Sequence, residues 1–352
     1  MTDGIRHPFT APPPEGEAVE VAPGVLWMRL PLPMALDHVN VYALDDGAGW
    51  TIIDTGIMSR RSVAVWQALL AGPLAAKPAT RLIVTHHHPD HIGLAGWFQA
   101  RGVELVTTRT AWLYARMLVL DEQAIPSAEA MLYYARAGVP AVERAEKART
   151  RPFNFCDMVA PMPQGFTRIS EAQIIAAGGR RWRVRLGQGH APDHATLWSM
   201  DDDLVIGGDQ LLPGISANIG VYPTEPEADP LGEWLAATAA FVPHARPAHL
   251  VLPGHKLPYT GLPFRLVQMA ENHEAALTRL RAHLAVPQPA VGCFAALFKR
   301  EIGPPEFGLA LVETIAHLNH LMQRGDISRG LDGEGAWNWQ ATKEAYHGQS
   351  HR

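Results

Sequence analysis

The sequence predicts an α/β fold, and three observations carry that prediction. Short apolar runs with strand character alternate with helical segments through the first two thirds of the chain. Four side chains of metal-ligating type, His86, His88, Asp90 and His91, fall within six residues directly after one such run, Arg81-Leu-Ile-Val-Thr85. The following stretch, Ile92 to Ala100, reads as a helix, so these residues leave the C-terminal end of a strand, where α/β folds place their sites. In extended backbone residues i and i+2 point the same way, so His86 and His88 can grip one ion. Asp90 and His91, past the bend, are aimed elsewhere and can hold a second. Imidazoles joined by a carboxylate suit zinc or a similar borderline cation. A purification tag or metal-binding tail would not be embedded between a strand and a helix.

Composition sets the outer limits. The 352 residues leave room for one large domain, or a domain with an accessory one. With 47% hydrophobic and 18% charged residues the chain can bury a large core and is not disordered. A net charge of −5 argues against a broad nucleic-acid footprint, leaving only a local basic groove open. Cys156 and Cys293 form no CxxC and no disulfide framework, which fits a reducing compartment. Residues 1–24 lack the apolar core of a signal peptide, and no apolar run reaches the ~18 residues of a membrane span. A cytoplasmic protein without a membrane partner is expected.

Residues 1–23 read as a loose lead-in, because Ala11-Pro-Pro-Pro-Glu15 suits neither helix nor ladder strand. Strands are expected at 24–30, 39–44 and 49–56, with Asp45-Asp46-Gly47 as the hairpin turn between the last two. Ser59 can cap a helix running to about Leu70; Gly72-Pro73 breaks it, and a strand from Ala79 leads into His86. Another strand covers 103–108. Residues 110–150 switch to helical composition and read as an insertion. Its Met117, Met131, Tyr133 and Tyr134 suit either an apolar binding wall or ordinary core packing. Strands resume at 172–176, 181–186, 195–200 and 204–207, with Asp201-Asp202-Asp203 as a solvated hairpin tip rather than a Ca²⁺ loop. An amphipathic helix at 228–241 precedes a last strand at 249–252. Beyond Gly261 come helices at 262–284, 293–301 and 306–324, then a short extended tail through Trp337 and Trp339. The expected domains are therefore 1–260, with the insertion, and a helical accessory unit at 261–352.

Three more strand ends carry a ligand type beside Gly or Pro, where the backbone can turn sharply: Gly189-His190, Gly208-Asp209 and Pro253-Gly254-His255. Any one alone is an ordinary loop residue; their ordered conjunction with the opening stretch is not. With His86-x-His88-x-Asp90-His91 and Ile53-Asp54-Thr55-Gly56 upstream, the sequence resembles the metallo-β-lactamase superfamily over roughly residues 24–260. The resemblance implies a four-layer αββα sandwich with a dinuclear site at one edge of its two sheets. It implies that His86, His88 and His190 hold one metal, that Asp90, His91 and His255 hold the other, and that Asp209 bridges them. Asp54 would orient ligands rather than bind. Zinc is the expected ion, with iron or manganese as alternatives. The C-terminal helices resemble the winged-helix-like tail of one branch of these hydrolases.

Two positions depart from the family pattern. Lys256 follows the last histidine where a small Gly is common, and either meets an anionic substrate group or points to solvent. Asp193 stands where Gly is common after His190. His87, inside the motif, is expected to be structural or exposed.

Two cations close together make hydroxide available from bridging water near neutral pH, and Asp90 can orient that water and relay its proton. No Gly-x-Ser-x-Gly elbow, P-loop or dinucleotide fingerprint competes with this reading. An acidic chain with an apolar helical insertion favours a small ester or thioester, hydroxyacyl-glutathione-like or acyl-CoA-like. Lactonase, β-lactamase, phosphodiesterase or endoribonuclease activity at the same site are alternatives, as is a di-iron redox or non-catalytic module. The expected partners are a small-molecule substrate and at most a second copy of the chain.

Overall fold

The computed structural model describes residues 4–34 and 36–342; the last residues of the expected 261–352 unit lie outside the described residues. Its first sheet runs in sequence order: β1 (Val19–Ala22), β2 (Val25–Pro31), β3 (His38–Asp45), β4 (Trp50–Ile53), β5 (Ala79–Ile83), β6 (Glu104–Thr107) and β7 (Thr167–Arg168). The first four are antiparallel neighbours and the rest add in parallel. The second sheet has the order β12-β11-β10-β9-β8, from β8 (Ile174–Ala177), β9 (Arg180–Gly187), β10 (His194–Ser199), β11 (Leu204–Gly208) and β12 (Leu250–Pro253). Only its β11–β12 pair is parallel among the described strands.

Alternation along the strands builds two separate cores. Val25 and Trp27 of β2, Tyr42 and Leu44 of β3, Ile53 and Ile83 face Trp182, Val184, Leu197, Ile206 and Leu252 of the second sheet. Their sequence neighbours Met28, Leu30, Val41, Ala43, Ile52 and Leu82 face the other way. There they meet Val65, Trp66 and Leu69 of α1 (Arg60–Ala71), Ile92 of α2 (Pro89–Ile92), Phe98 of α3 (Ala95–Gln99) and Ala115 of α4 (Arg109–Leu120). On the outer side of the second sheet Trp198 meets Phe241 and His249. The fold is the αββα sandwich that the resemblance implies.

Most local signals translate directly. Ser59 caps α1 by accepting the Ser62 amide at 3.0 Å, and Asp46-Gly47 turns the β3–β4 hairpin with Gly47 at φ +80°. Three differences have physical causes. Val19-Glu-Val-Ala22, inside the expected lead-in, pairs with β2 as an edge strand. The strand expected to reach Gly56 stops at Ile53, because Asp54 adopts φ +59°. The single helix expected at 92–100 is two short ones. Thr55 Oγ1 takes the Leu94 amide at 3.0 Å, and the backbone at Gly93 packs so closely that a Cβ there would lie 2.5 Å from the Gly56 carbonyl.

The chain divides into two compact units. One contains the described residues up to Glu122, Phe153–Ala217 and Phe241–Leu266. The other contains Gln123–Pro152, Asn218–Ala240 and the described residues from Val267. The expected insertion is thus shared: α4 lies in the first unit, whereas α5 (Ala128–Arg136) and α6 (Ala141–Lys147) lie in the second. α7 (Pro230–Phe241) and α8 (Leu262–His283) run across the divisions. The second unit continues with α9 (Phe294–Phe298), which ends where Lys299 turns left-handed at φ +57°, and α10 (Phe307–Gln323). A hairpin of β13 (Ile327–Leu331) and β14 (Trp337–Ala341) replaces the expected single extended tail. In this unit the Tyr133 hydroxyl donates to the Val221 carbonyl at 2.7 Å, and Asn319 donates to the carbonyls of Pro226 and Ala228.

Trp182 fills the space between the sheets and donates its indole N–H to Ala177, so Trp182→Ala is expected to cost about 3–5 kcal/mol in urea denaturation. Burial pushes the Glu313 carboxyl of α10 up to about 7, against the hydrogen bond from Asn218. The folded chain therefore holds a proton that the unfolded chain, with a carboxyl near 4.5, releases earlier. Stability should fall as pH rises from 4.5 to 7, and Glu313→Gln should remove that fall in melting curves taken across the range.

Candidate metal centre

The sandwich brings every expected ligand to one edge, each from the end of a strand or the loop just after it. β5 leads into His86, His88, Asp90 and His91; β9 into His190; β11 into Asp209; β12 into His255. Two backbone hydrogen bonds tie the sheets together at this edge: Ala195 N donates to Thr85 O at 2.8 Å, and Asn40 N to Gly254 O at 2.7 Å. Within the second sheet Gly254 N donates to Gly208 O at 2.8 Å.

The ligand atoms fall into overlapping triads: His86, His88 and His190; His86, His91 and Asp209; Asp90, His91 and His255. In the first, His86 Nε2, His88 Nδ1 and His190 Nε2 lie 3.1, 3.0 and 3.3 Å apart. Nitrogens about 2.0–2.1 Å from a tetrahedral zinc would be separated by roughly 3.3–3.4 Å, so this spacing is near that of a ligand set. Burial, and then the crowding of neighbouring imidazoles, holds His86 and His88 well below the usual histidine range, leaving neutral rings with lone pairs to offer. In the carboxylate-rich half, His255 Nε2 lies 3.2 Å from Asp90 Oδ2 and 3.3 Å from Asp209 Oδ2. His91 Nε2 lies 3.4 Å from Asp209 Oδ1, and both atoms are buried without a hydrogen-bond partner. Asp209 also comes within 3.5 Å of His190 Nε2, which places its carboxylate between the two halves.

These orphaned atoms fit a cation. Burial alone would lower His91 and His255, yet the surrounding carboxylates raise His91 well above its ordinary value and push His255 up to about 10. Burial would likewise raise Asp209, but His255 and His91 hold it well below the carboxylate range. Protons here supply positive charge that a divalent ion would supply instead.

The ligands are oriented from behind. Asp54, buried at its left-handed turn, accepts from the Thr85 amide and hydroxyl at 2.8 and 2.9 Å, and faces His91 Nδ1 at 2.8 Å. That contact leaves His91 Nε2 facing the cluster, the arrangement in which a carboxylate fixes an imidazole ligand. Thr85 Oγ1 lies 3.0 Å from His86 Nδ1, and the His38 carbonyl lies 2.9 Å from His255 Nδ1, with the same result. Lys256 is exposed at φ +67°, lining a cavity of about 330 Å³ with His7, Pro213 and Leu257. Asp193 adopts φ +50° in place of Gly; Gln188 and Thr110 hold its carboxylate there. His87 is buried against His88 and Tyr114, and burial pushes it down to about 3.

Two residues escaped the sequence reading. His194 stacks on His86, with ring centres 4.4 Å apart, and its Nε2 accepts the Asp209 amide at 3.1 Å. Gly208 leaves room for it, since a Cβ there would come 2.5 Å from His194 Cε1. Asn40 clamps the loop that carries His255: its amide nitrogen donates to Pro253 and Lys256 carbonyls at 2.9 and 2.7 Å, while its oxygen accepts from Trp27. A polar residue inside the otherwise apolar Val39-Asn-Val-Tyr42 was the available signal.

A two-sheet sandwich whose edge gathers His and Asp donors in this order defines a metallo-beta-lactamase class of protein. Residues 34–255 match the family described as the metallo-beta-lactamase superfamily, and the chain belongs to it. Residues 277–342 match the family described as metallo-beta-lactamase-like, C-terminal domain. The structure is similar to that of a beta-lactamase domain protein from Burkholderia ambifaria, with 35% identity, a TM-score of 0.88, and 96% of this chain and 98% of that one covered. A metallo-beta-lactamase family protein from Thermus thermophilus is similar at 25% identity and TM-score 0.76, covering 92% and 100%. Among curated proteins, a probable metallo-hydrolase of Bacillus subtilis is 27% identical over 55% of this chain and 59% of its own length. A beta-lactamase-like protein 2 homolog of Caenorhabditis elegans is 23% identical over 52% and 47%. The chain thus spans about half the length of the curated relatives it matches.

Asn40→Ala is expected to lower zinc affinity by about 10–100-fold, read by titration against a chromophoric chelator. Undiminished affinity in the folded variant would contradict the clamp.

Proposed function

We propose that the chain is a dinuclear metal-dependent hydrolase acting on a small ester or thioester, hydroxyacyl-glutathione-like or acyl-CoA-like. The observation that carries this reading is the three-imidazole triad abutting a carboxylate-rich triad, with Asp209 between them. In it His86, His88 and His190 would hold one ion, Asp90, His91 and His255 the other, and Asp209 would serve both. Zinc fits the mixed nitrogen and oxygen donors. The ions, when bound, supply Lewis acidity and water activation near neutral pH.

The chain's own residues supply the rest. Asp90, with a side chain 23% exposed against 9% for Asp209 and 3% for Asp54, is the carboxylate open to substrate. It takes the proton from the attacking water at a carboxylate oxygen and returns it to the leaving group. Asp54 and the His38 carbonyl keep the ring nitrogens of His91 and His255 turned toward the reaction centre.

The substrate class rests on what borders the cluster. Thr110, near the start of α4, bonds Asp193 of the His190 loop, and the Tyr114 ring lies 5.1 Å from His87. The same helix leaves Leu113, Met117 and Leu120 largely exposed, an apolar surface suited to an acyl chain. No helix among the described residues is long and apolar enough to cross a membrane.

His88→Ala and Asp209→Ala should each abolish turnover on a panel of thioesters, lactones, β-lactams, phosphodiesters and RNA while circular dichroism shows the fold retained. Full turnover by either variant would sink the site assignment, and a metal-replete chain that cleaves only phosphodiesters would sink the substrate class.

A further inference from the structure

The second unit contains a cavity of about 280 Å³ that the metal chemistry does not use. This lies just below the roughly 300–1,000 Å³ typical of small-molecule sites, so a small ligand is the match. Leu132, Tyr133 and Ala137 of α5 and its C-terminal end, Ile315 of α10 and the rings of Trp337 and Trp339 on β14 give it a mainly apolar wall. The Tyr133 hydroxyl is committed to the Val221 carbonyl, so the tyrosine contributes its ring rather than its polar end.

Charge enters at one side. Arg329 stacks on Trp337 and Trp339, with its guanidinium carbon 4.4 and 5.0 Å from their ring centres. Glu227 neutralises it, both carboxylate oxygens lying 2.7 Å from Nη2. Arg136 also stacks on Trp337, at 5.1 Å, and spends one N–H on the Gly335 carbonyl at 2.7 Å. No carboxylate among the described residues pairs with Arg136, although Glu129 lines the same cavity. A guanidinium held in place by an aromatic face and a carbonyl, with its remaining donors uncommitted, matches a carboxylate. The Trp339 indole N–H, buried without a partner in the same wall, is a second donor that meets no acceptor within the described residues.

We propose that this cavity is a binding site for a small apolar monocarboxylate, its hydrocarbon part against Leu132, Ile315 and the tryptophans and its carboxylate on Arg136. None of the residues that line it is among the candidate metal ligands, so the proposal does not rest on the proposed hydrolysis. Arg136 supplies the specificity, and Arg329, already neutralised, supplies wall.

The test adds sodium hexanoate to the full chain, with hexanamide as the uncharged isostere, and follows the indole N–H resonances of Trp337 and Trp339. Trp337→Phe and Trp339→Phe assign those resonances. Saturable shifts are expected with hexanoate, at an affinity about tenfold or more above that for hexanamide. Arg136→Gln should reduce hexanoate to the hexanamide level, and Arg136→Lys should fall between. Unmoved indole resonances, or equal binding of acid and amide by the unaltered chain, would overturn the proposal without recourse to any variant. So would hexanoate binding that is undiminished in a folded Arg136→Gln chain.

Discussion

Acidic charge buried where two sheets meet is the constraint on which the sandwich depends. Asp54 and Asp209 are both within the protein interior, with Asp90 beside them, and isolated carboxylates there would be prohibitively costly. Imidazoles from several strand ends offset that cost, and they can do so only if both sheets are in register at this edge. The raised His91 and His255 show how strongly the pocket calls for positive charge. Structure and chemistry are therefore one requirement: the edge that needs a cation is also the edge that joins the layers.

Small residues make this crowding feasible. A Cβ at Gly254 would lie 2.2 Å from Asp209 Oδ1 and 2.8 Å from His91 Cε1, so the loop before His255 can approach only as bare backbone. Asn40 then fixes that loop through its carbonyls rather than through His255 itself. The apolar cores on either face of the first sheet hold the strands, while short polar links at their ends set the donor atoms. Stability and precision are thus assigned to different residues, a division that leaves the donors free to be selected for chemistry.

Much of this was legible in the sequence because the informative residues are local. Each candidate ligand sits close to a Gly or Pro at the end of an apolar run, and their order along the chain carried the resemblance. Asn40 and His194 were less visible because their partners lie far away: Asn40 bonds Pro253, and His194 stacks on His86. The break at Gly93 depends on the approach of Gly56 backbone, which no helical periodicity records. The grouping of 123–152 with 218–240 and the C-terminal helices is likewise a matter of tertiary contact, invisible to composition. The substrate left no comparable local mark.

The interleaving of donors along the chain also imposes a timetable on synthesis. The ribosome releases the His86–His91 loop first, but β12, which leads into His255, is the last strand of either sandwich sheet. At ordinary elongation rates the nascent polypeptide waits roughly ten to thirty seconds between them. During that interval the first sheet can assemble its antiparallel half while its imidazoles lack their later companions. The full set of donors can therefore meet an ion only after β12 and the turn beyond it have emerged.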